Sequence, residues 1–285
     1  MADQDILIVG AKGQLGQALQ TQYPNARAVD VDELDITNKA AVEAFDFSNT
    51  KIILNAAAYT NVDGAETPEG RIAAWKVNAE AVKNLTYAVW QHRLDAIVHI
   101  STDYVFDGTS KLHDETEPLS PLSVYGASKA AGDLLVSQVD KHYILRTSWV
   151  IGDGKNFVRT MIDLGSKQIS PTVVGDQIGR LTFTSELVRA IDHLLTTKAP
   201  FGTYNASNDG DIVSWADITR EIFALAGYKD LTVTDTTTQE YFAGKEGIAP
   251  RPLQSGLDLA KLQATGFTSR NWRDDLKTYV QKELA

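Results

Sequence analysis

The chain of 285 residues contains no cysteine. That absence removes disulfides, cysteine-ligated zinc, iron–sulfur clusters and thiol nucleophiles together. Basic residues are the minority: 27 Lys and Arg face 37 Asp and Glu, for a net charge of −10 and a pI near 5.0. Such a surface repels polyanions, so no nucleic-acid partner is expected, although a few local cations can still hold one charged ligand. No apolar run approaches the ~20 residues of a membrane span. The first residues, Met-Ala-Asp-Gln-Asp, lead straight into Ile6-Leu7-Ile8-Val9 with no basic, apolar leader. The expectation is a soluble, cytoplasmic chain. None of the five histidines (His92, His99, His113, His142, His193) shows HxxH or HExxH spacing, so no metal site is expected. No GxSxG elbow supports a hydrolase.

What is present is an ordinary globular composition, 43% hydrophobic and 22% charged. Ile6–Val9, Ala28–Val31, Lys51–Leu54, Ala96–Ile100 and Tyr143–Leu145 are apolar runs of strand length, the pattern of strands buried on both faces. Helical patterns lie between them at Gln14–Gln22, Lys39–Phe45, Glu69–His92 and Ser123–Val139. Thr67 with Pro68 and Glu69 reads as the N-cap of the third. This alternation predicts an α/β fold with a doubly wound, Rossmann-type parallel sheet. After Ser148 the rhythm loosens. Helices are expected near Phe157–Leu164, Ser185–Leu195, Ser214–Ala226 and Trp272–Leu284, with short strands at Thr172–Val174 and Thr203–Asn205. The expected division is a dinucleotide-binding domain of residues 1–148 plus a returning segment of about 168–208. A smaller, mixed or helical substrate lobe takes about 149–167 and 209–285.

Gly10-Ala11-Lys12-Gly13-Gln14-Leu15-Gly16 follows the first strand and opens the first helix. Glycines there allow a tight turn, close approach of a pyrophosphate and close helix–strand packing. The spacing is GxxGxxG rather than GxGxxG, and a Gly-rich turn alone is often only a turn. Asp30, 20 residues after Gly10 at the end of the second strand, is placed to accept from adenosine ribose hydroxyls. The bland alternative for Asp30 is a solvated acid near Asp32 and Glu33.

Tyr125-Gly-Ala-Ser-Lys129 places a phenol and an ammonium on one helical face. A cation there is expected to stabilise the phenolate and lower a pKa that is ordinarily near 10. With 10 tyrosines the spacing also arises by chance, and Tyr241-Phe-Ala-Gly-Lys245 repeats it. Position separates the two. Tyr125 follows a strand ending in Ser101-Thr102-Asp103, and strand carboxyl ends are where open α/β sheets bind ligands. Tyr241 is read as a decoy.

Gly10/Gly13/Gly16, Asn55-Ala-Ala-Ala58, Ser101-Thr-Asp103 and Tyr125-xxx-Lys129 together resemble the extended short-chain dehydrogenase/reductase superfamily. Longer blocks resemble the dTDP-4-dehydrorhamnose reductase family: Asn55–Asp63, Ser101–Gly108, Val124–Gly126, Arg146–Val150, Asp176–Gly179 and Arg251-Pro252. Leu181 departs from the Gly-x-Pro-Thr pattern usual after Gly179. The resemblance implies reduction of dTDP-6-deoxy-L-lyxo-4-hexulose to dTDP-L-rhamnose with NADPH or NADH. It implies Tyr125 as proton donor, Lys129 on the nicotinamide ribose and Thr102 on the same sugar oxygen. Lys12, Gln14, Leu15, Asp35, Ile36, Ala56, Ala57 and Ala58 would join the glycines and Asp30 around the cofactor. Asp103, Tyr104, Trp149, Asn156, Arg180 and Arg251 would face the dTDP-sugar.

Two other readings belong beside this one. A nucleotide-sugar epimerase or dehydratase is the nearest, but dehydratases carry an Asp-Glu pair where this chain has Asp103-Tyr104. A non-catalytic subunit such as the regulatory β-subunit of methionine adenosyltransferase shares the family pattern. Mg²⁺-bridged dimers occur in the family through a Glu two residues past the third loop glycine. That position here is Ala18, although Glu186 resembles another of the acidic ligands. A monomer, or a homodimer formed otherwise, is expected.

Overall fold

The computed structural model describes residues 2–285. The strands of its first half are β1 (Ile6–Val9), β2 (Arg27–Val29), β3 (Ile52–Asn55), β4 (Ala96–Thr102) and β5 (His142–Thr147). Shorter strands follow: β6 (Val150–Ile151), β7 (Thr172–Val174), β8 (Ile178–Gly179), β9 (Thr182–Phe183), β10 (Gly202–Asn205), β11 (Val213–Ser214) and β12 (Thr234–Thr236). The helices of the first half are α1 (Gln14–Gln22), α2 (Lys39–Ala44), α3 (Pro68–Trp75), α4 (Ala81–Gln91) and α5 (Val124–Val136). After them come α6 (Phe157–Ser166), α7 (Thr184–Thr196), α8 (Trp215–Ala226), α9 (Thr238–Tyr241), α10 (Ala260–Gln263) and α11 (Trp272–Leu284).

Six strands form one parallel sheet in the order β10-β5-β4-β3-β1-β2. Alternation along each strand feeds two cores, because successive side chains leave opposite faces. Ile6, Ile8, Ile52, Leu54, Val98 and Leu145 pack with Leu15 and Leu19 of α1 and Leu187, Ile191 and Leu194 of α7. Leu7, Val9, Ile53, Ile97 and Ile144 pack on the other face with Val42 of α2, Val82, Leu85 and Val89 of α4, and Val136 of α5. Both faces are therefore dry, as the continuous apolar runs require. The expected second strand ends sooner than read, at Val29, and Val31 is 63% exposed.

The third helix is interrupted by a π-helical segment at Lys76–Glu80 between α3 and α4, which periodicity did not foretell. Such segments re-aim one side chain. Here it is buried Asn78, whose amide holds both backbone groups of Tyr59 and the Ser128 hydroxyl (2.8–3.0 Å).

A third core joins Ile151, Val158, Leu181, Phe183, Ile222, Trp272 and Leu276 from α6, α8, α11 and the short strands. Leu181, fully buried, belongs to it. The segment expected to return at 168–208 needs correction. β7 pairs with β12, β8 with β11, and β9 with β6, so residues 172–183 stand outside the main sheet. Only α7 and β10 rejoin it. Leu262 and Phe267, expected in the smaller lobe, pack instead into the α1/α7 core.

Candidate active site

The loop between β1 and α1 shows which glycines the backbone itself requires. Gly10 lies at φ +84°, and a Cβ on it would stand 2.6 Å from the Ala57 nitrogen. A Cβ on Gly16 would stand 2.1 Å from the Gly10 carbonyl oxygen. Gly13 differs: a Cβ there would meet only that oxygen, at 3.4 Å, so the fold tolerates one. Gly13 is also the N-cap of α1, and no side chain caps this helix. The first N–H groups of α1 are left to a ligand, the arrangement that binds phosphate.

Two clefts meet at this loop. One of about 340 Å³ is lined by Gly10, Asp30, Asp35, Ile36 and Ala57 and shares Lys12, Gly13, Ala56 and Ala58 with the other. The larger, about 680 Å³, runs past Gln14 and Leu15 to Thr102, Asp103, Tyr104, Tyr125, Lys129 and Trp149. Asp30 sits at the loop but serves the backbone: its carboxylate accepts from the amides of Lys12 (2.8 Å) and Val31 (2.9 Å). Lys12 itself pairs through its ammonium with Asp32. Asp35 accepts from the amide and hydroxyl of Thr37, which holds its carboxyl below the usual range.

Tyr125 and Lys129 lie on α5, capped by the Ser123 hydroxyl. Gly126 lets this helix close on the Tyr104 carbonyl, where a Cβ would come within 2.2 Å. The result is burial: Tyr125 is 8% exposed and Lys129 2%. Burial pushes the Tyr125 phenol up to about 12, against a hydrogen bond with Thr102 that lowers it. This corrects the expectation that Lys129 lowers the phenol. The ammonium donates instead to the Ile100 carbonyl, 2.6 Å away, and desolvation of the phenolate is the larger effect. Lys129 is lowered to about 8, chiefly by its own burial. Asp103 is raised to about 6 by burial, and its Oδ2 has no hydrogen-bond partner. Its Oδ1 accepts from the Thr102 hydroxyl (3.1 Å). Burial likewise holds Tyr104 well above its ordinary value, and its ring meets that of Tyr125 edge-on at 5.5 Å.

Trp149 is in the left-handed region at φ +48°, a conformation that costs a non-glycine residue energy. Its indole stacks on Trp215 at 3.7 Å, and Gly179 leaves room for it. Trp215 was missed in the sequence, where a tryptophan opening a helix reads as core.

Three expected substrate residues lie outside the cleft lining. Asn156 caps α6, accepting from the Arg159 amide while its own amide donates to Gly152 O and Tyr279 Oη. Arg180 is buried and donates to the carbonyls of Leu257 and Gly210. Arg251 pairs with Asp63 at 2.8 Å, tying the C-terminal segment to the loop after β3. The Asn156 amide and the Arg251 guanidinium are engaged within the fold, whereas the buried Arg180 Nε has no hydrogen-bond partner. Glu186 is also committed, to Arg189 and the Arg270 amide. Tyr241 is 42% exposed, outside the cleft, with the Lys245 ammonium 4.3 Å over its ring. Among the described residues no helix is long and apolar enough to cross a membrane.

Residues 4–285 match the family model described as the RmlD substrate binding domain. The chain is 39% identical to the dTDP-4-dehydrorhamnose reductase of Aggregatibacter actinomycetemcomitans, covering 95% of this chain and 97% of that one. The crystal structure of a dTDP-4-dehydrorhamnose reductase from Clostridium acetobutylicum superposes with a TM-score of 0.90 at 40% identity, over 98% of this chain and 99% of that one. That of the Bacillus anthracis reductase in complex with NADP gives 0.89 at 35%, over 99% and 100%. By sequence and by fold, the chain belongs to the RmlD substrate binding domain family, alongside the dTDP-4-dehydrorhamnose reductases.

Proposed function

We propose that this chain is an NAD(P)H-dependent reductase acting on the 4-keto group of dTDP-6-deoxy-L-lyxo-4-hexulose and yielding dTDP-L-rhamnose. The observation that carries this reading is one cleft joining an uncapped helix N-terminus to a buried phenol, hydroxyl and ammonium. A dinucleotide fits the chain's residues there. The open face of Gly13 and the free amides of α1 suit its pyrophosphate, and Ala56, Ala57 and Ala58 leave space beside β3. When bound, the cofactor supplies the hydride that reduces C4.

The chain's own contribution is the proton. Held at about 12, the Tyr125 phenol stays protonated at neutral pH and donates to the alkoxide oxygen forming at C4. Thr102 hydrogen-bonds that same oxygen, so charge is stabilised where it develops. Lys129 holds the nicotinamide ribose, as the family resemblance implies, and the phenolate left on Tyr125 regains its proton from solvent. Asp103 and Trp149 line the cleft where the sugar would sit, with Trp215 stacked behind the Trp149 indole. Ketone, one hydride and one proton give the alcohol, so the atoms balance. Tyr104 stands where a dehydratase needs a second carboxylate, which favours reduction over elimination. An intact Thr102, Tyr125 and Lys129 likewise favour an enzyme over a regulatory subunit. The same reading places the chain in the cytoplasm, as a monomer or homodimer. The test is consumption of NADH and NADPH with the keto sugar formed in situ. Absence of turnover with both cofactors would overturn the proposal.

A further inference from the structure

Behind the proposed acid–base pair lies a row of buried charges that the reduction as described does not use. Asp133 follows Lys129 by four residues on α5, so Tyr125, Lys129 and Asp133 share one helical face. Asp133 and Lys129 are each 2% exposed. From β5, Arg146 reaches Asp133 Oδ2 through its Nε at 3.1 Å. The same guanidinium donates to the Glu115 carbonyl and lies over the Phe106 ring. Asp133 Oδ1 is buried without a hydrogen-bond partner. The charges run plus, minus, plus from Arg146 through Asp133 to Lys129. Buried charges of this kind are costly unless compensated.

The Lys129 ammonium contacts a neutral carbonyl, and no carboxylate touches it. Burial works against its charge, and the field of Asp133 works for it. The other groups facing this row do not take over that task. His99 on β4 is held neutral by burial and by the Lys129 charge. The Glu115 carboxylate lies beyond Arg146, accepting from the Asn205 amide at 2.7 Å. Asp103 acts on the phenol of Tyr125, which Asp133 also raises.

We infer that Asp133 is a positioning residue for the proposed reduction: paired with Arg146 and one helical turn beyond Lys129, it is the buried anion whose field acts on the Lys129 ammonium beside Tyr125. Burial raises the Asp133 carboxyl, and the Arg146 guanidinium beside it works in the opposite direction. The inference rests on the proposed function for its catalytic meaning, and on the row of charges alone for its electrostatics.

Two readouts test it together: the pH profile of kcat/KM for reduction, and the titration of Lys129 followed by NMR of ¹³C-labelled lysine. For Asp133→Asn, both the alkaline limb and the Lys129 titration should fall by about one pH unit or more. Activity lost at pH 8 should return to within about two-fold of wild type near pH 6. Asp133→Glu, prepared independently, should leave both in place. A uniform loss across the pH range, or an unmoved Lys129 titration in Asp133→Asn, would overturn the inference. If wild type reduces no keto sugar while the Lys129 titration moves as described, the proposed function fails and the charge coupling stands.

Discussion

The chain carries two Tyr-x-x-x-Lys segments of identical spacing and opposite surroundings. Tyr125 and Lys129 are buried in a thirteen-residue helix at the carboxyl end of β4, with the ammonium on a backbone carbonyl. Tyr241 closes a four-residue helix, lies 42% exposed, and carries Lys245 over its ring in a cation–π contact. Spacing makes neither of them an acid–base pair. Desolvation moves Tyr125 to about 12 and Lys129 to about 8, which keeps the phenol a proton donor and makes the amine titratable near neutrality. Solvent around Tyr241 leaves its lysine one more surface cation.

The contrast breaks most sharply on the phenols. Tyr125→Phe should lower kcat by about 10²–10⁴ with cofactor affinity retained, since it removes a general acid and little packing. Tyr241→Phe should match wild type in the same steady-state assay. Next come the lysines. Lys129→Met should lower kcat by about 10²-fold, the scale of one lost electrostatic stabiliser. The same change should raise the melting temperature by a few degrees in calorimetry, because it removes an unfavourable buried charge and leaves Asp133 paired with Arg146. Lys245→Met should do neither. The pH profile sharpens the comparison further. Lys129 is charged below its value of about 8, so kcat/KM for reduction should fall above about pH 8, with no loss traceable to Tyr125 until far more alkaline. The smallest effect belongs to the exposed adenosine end. Asp32→Ala frees the Lys12 ammonium and should raise kcat/KM for NADPH over NADH only a few-fold, as solvent-exposed ion pairs are weak.

The same division between buried and exposed surroundings governs what the sequence revealed. The sheet was legible because strands dry on both faces must be largely apolar, as Ile6–Val9 and the Ile52-Ile53-Leu54 run are. The glycine loop was legible because Gly10 and Gly16 sit where no side chain fits. Polar residues were harder, since one side chain serves a ligand or a backbone equally well on paper. Asn156 and Arg180 carry the right chemistry for a nucleotide sugar, yet helix capping and loop carbonyls occupy them. Asp30 stands at the expected place and is engaged with the Lys12 and Val31 amides. Trp215 and Asn78 went unread because their parts depend on partners far away in sequence, Trp149 and Tyr59. The direction of the Tyr125 shift was misjudged for a related reason: local spacing reveals the cation but not the depth of burial.

The central claim is that Tyr125 delivers the proton as the keto sugar is reduced, and single-turnover kinetics test it most directly. Enzyme saturated with NADPH is mixed with the keto sugar, and nicotinamide absorbance is followed while the product is identified by NMR. Wild type and Tyr241→Phe should oxidise one NADPH for each dTDP-L-rhamnose formed, and Tyr125→Phe should do so at least about a hundred-fold more slowly. A Tyr125→Phe rate within a few-fold of wild type would contradict the claim.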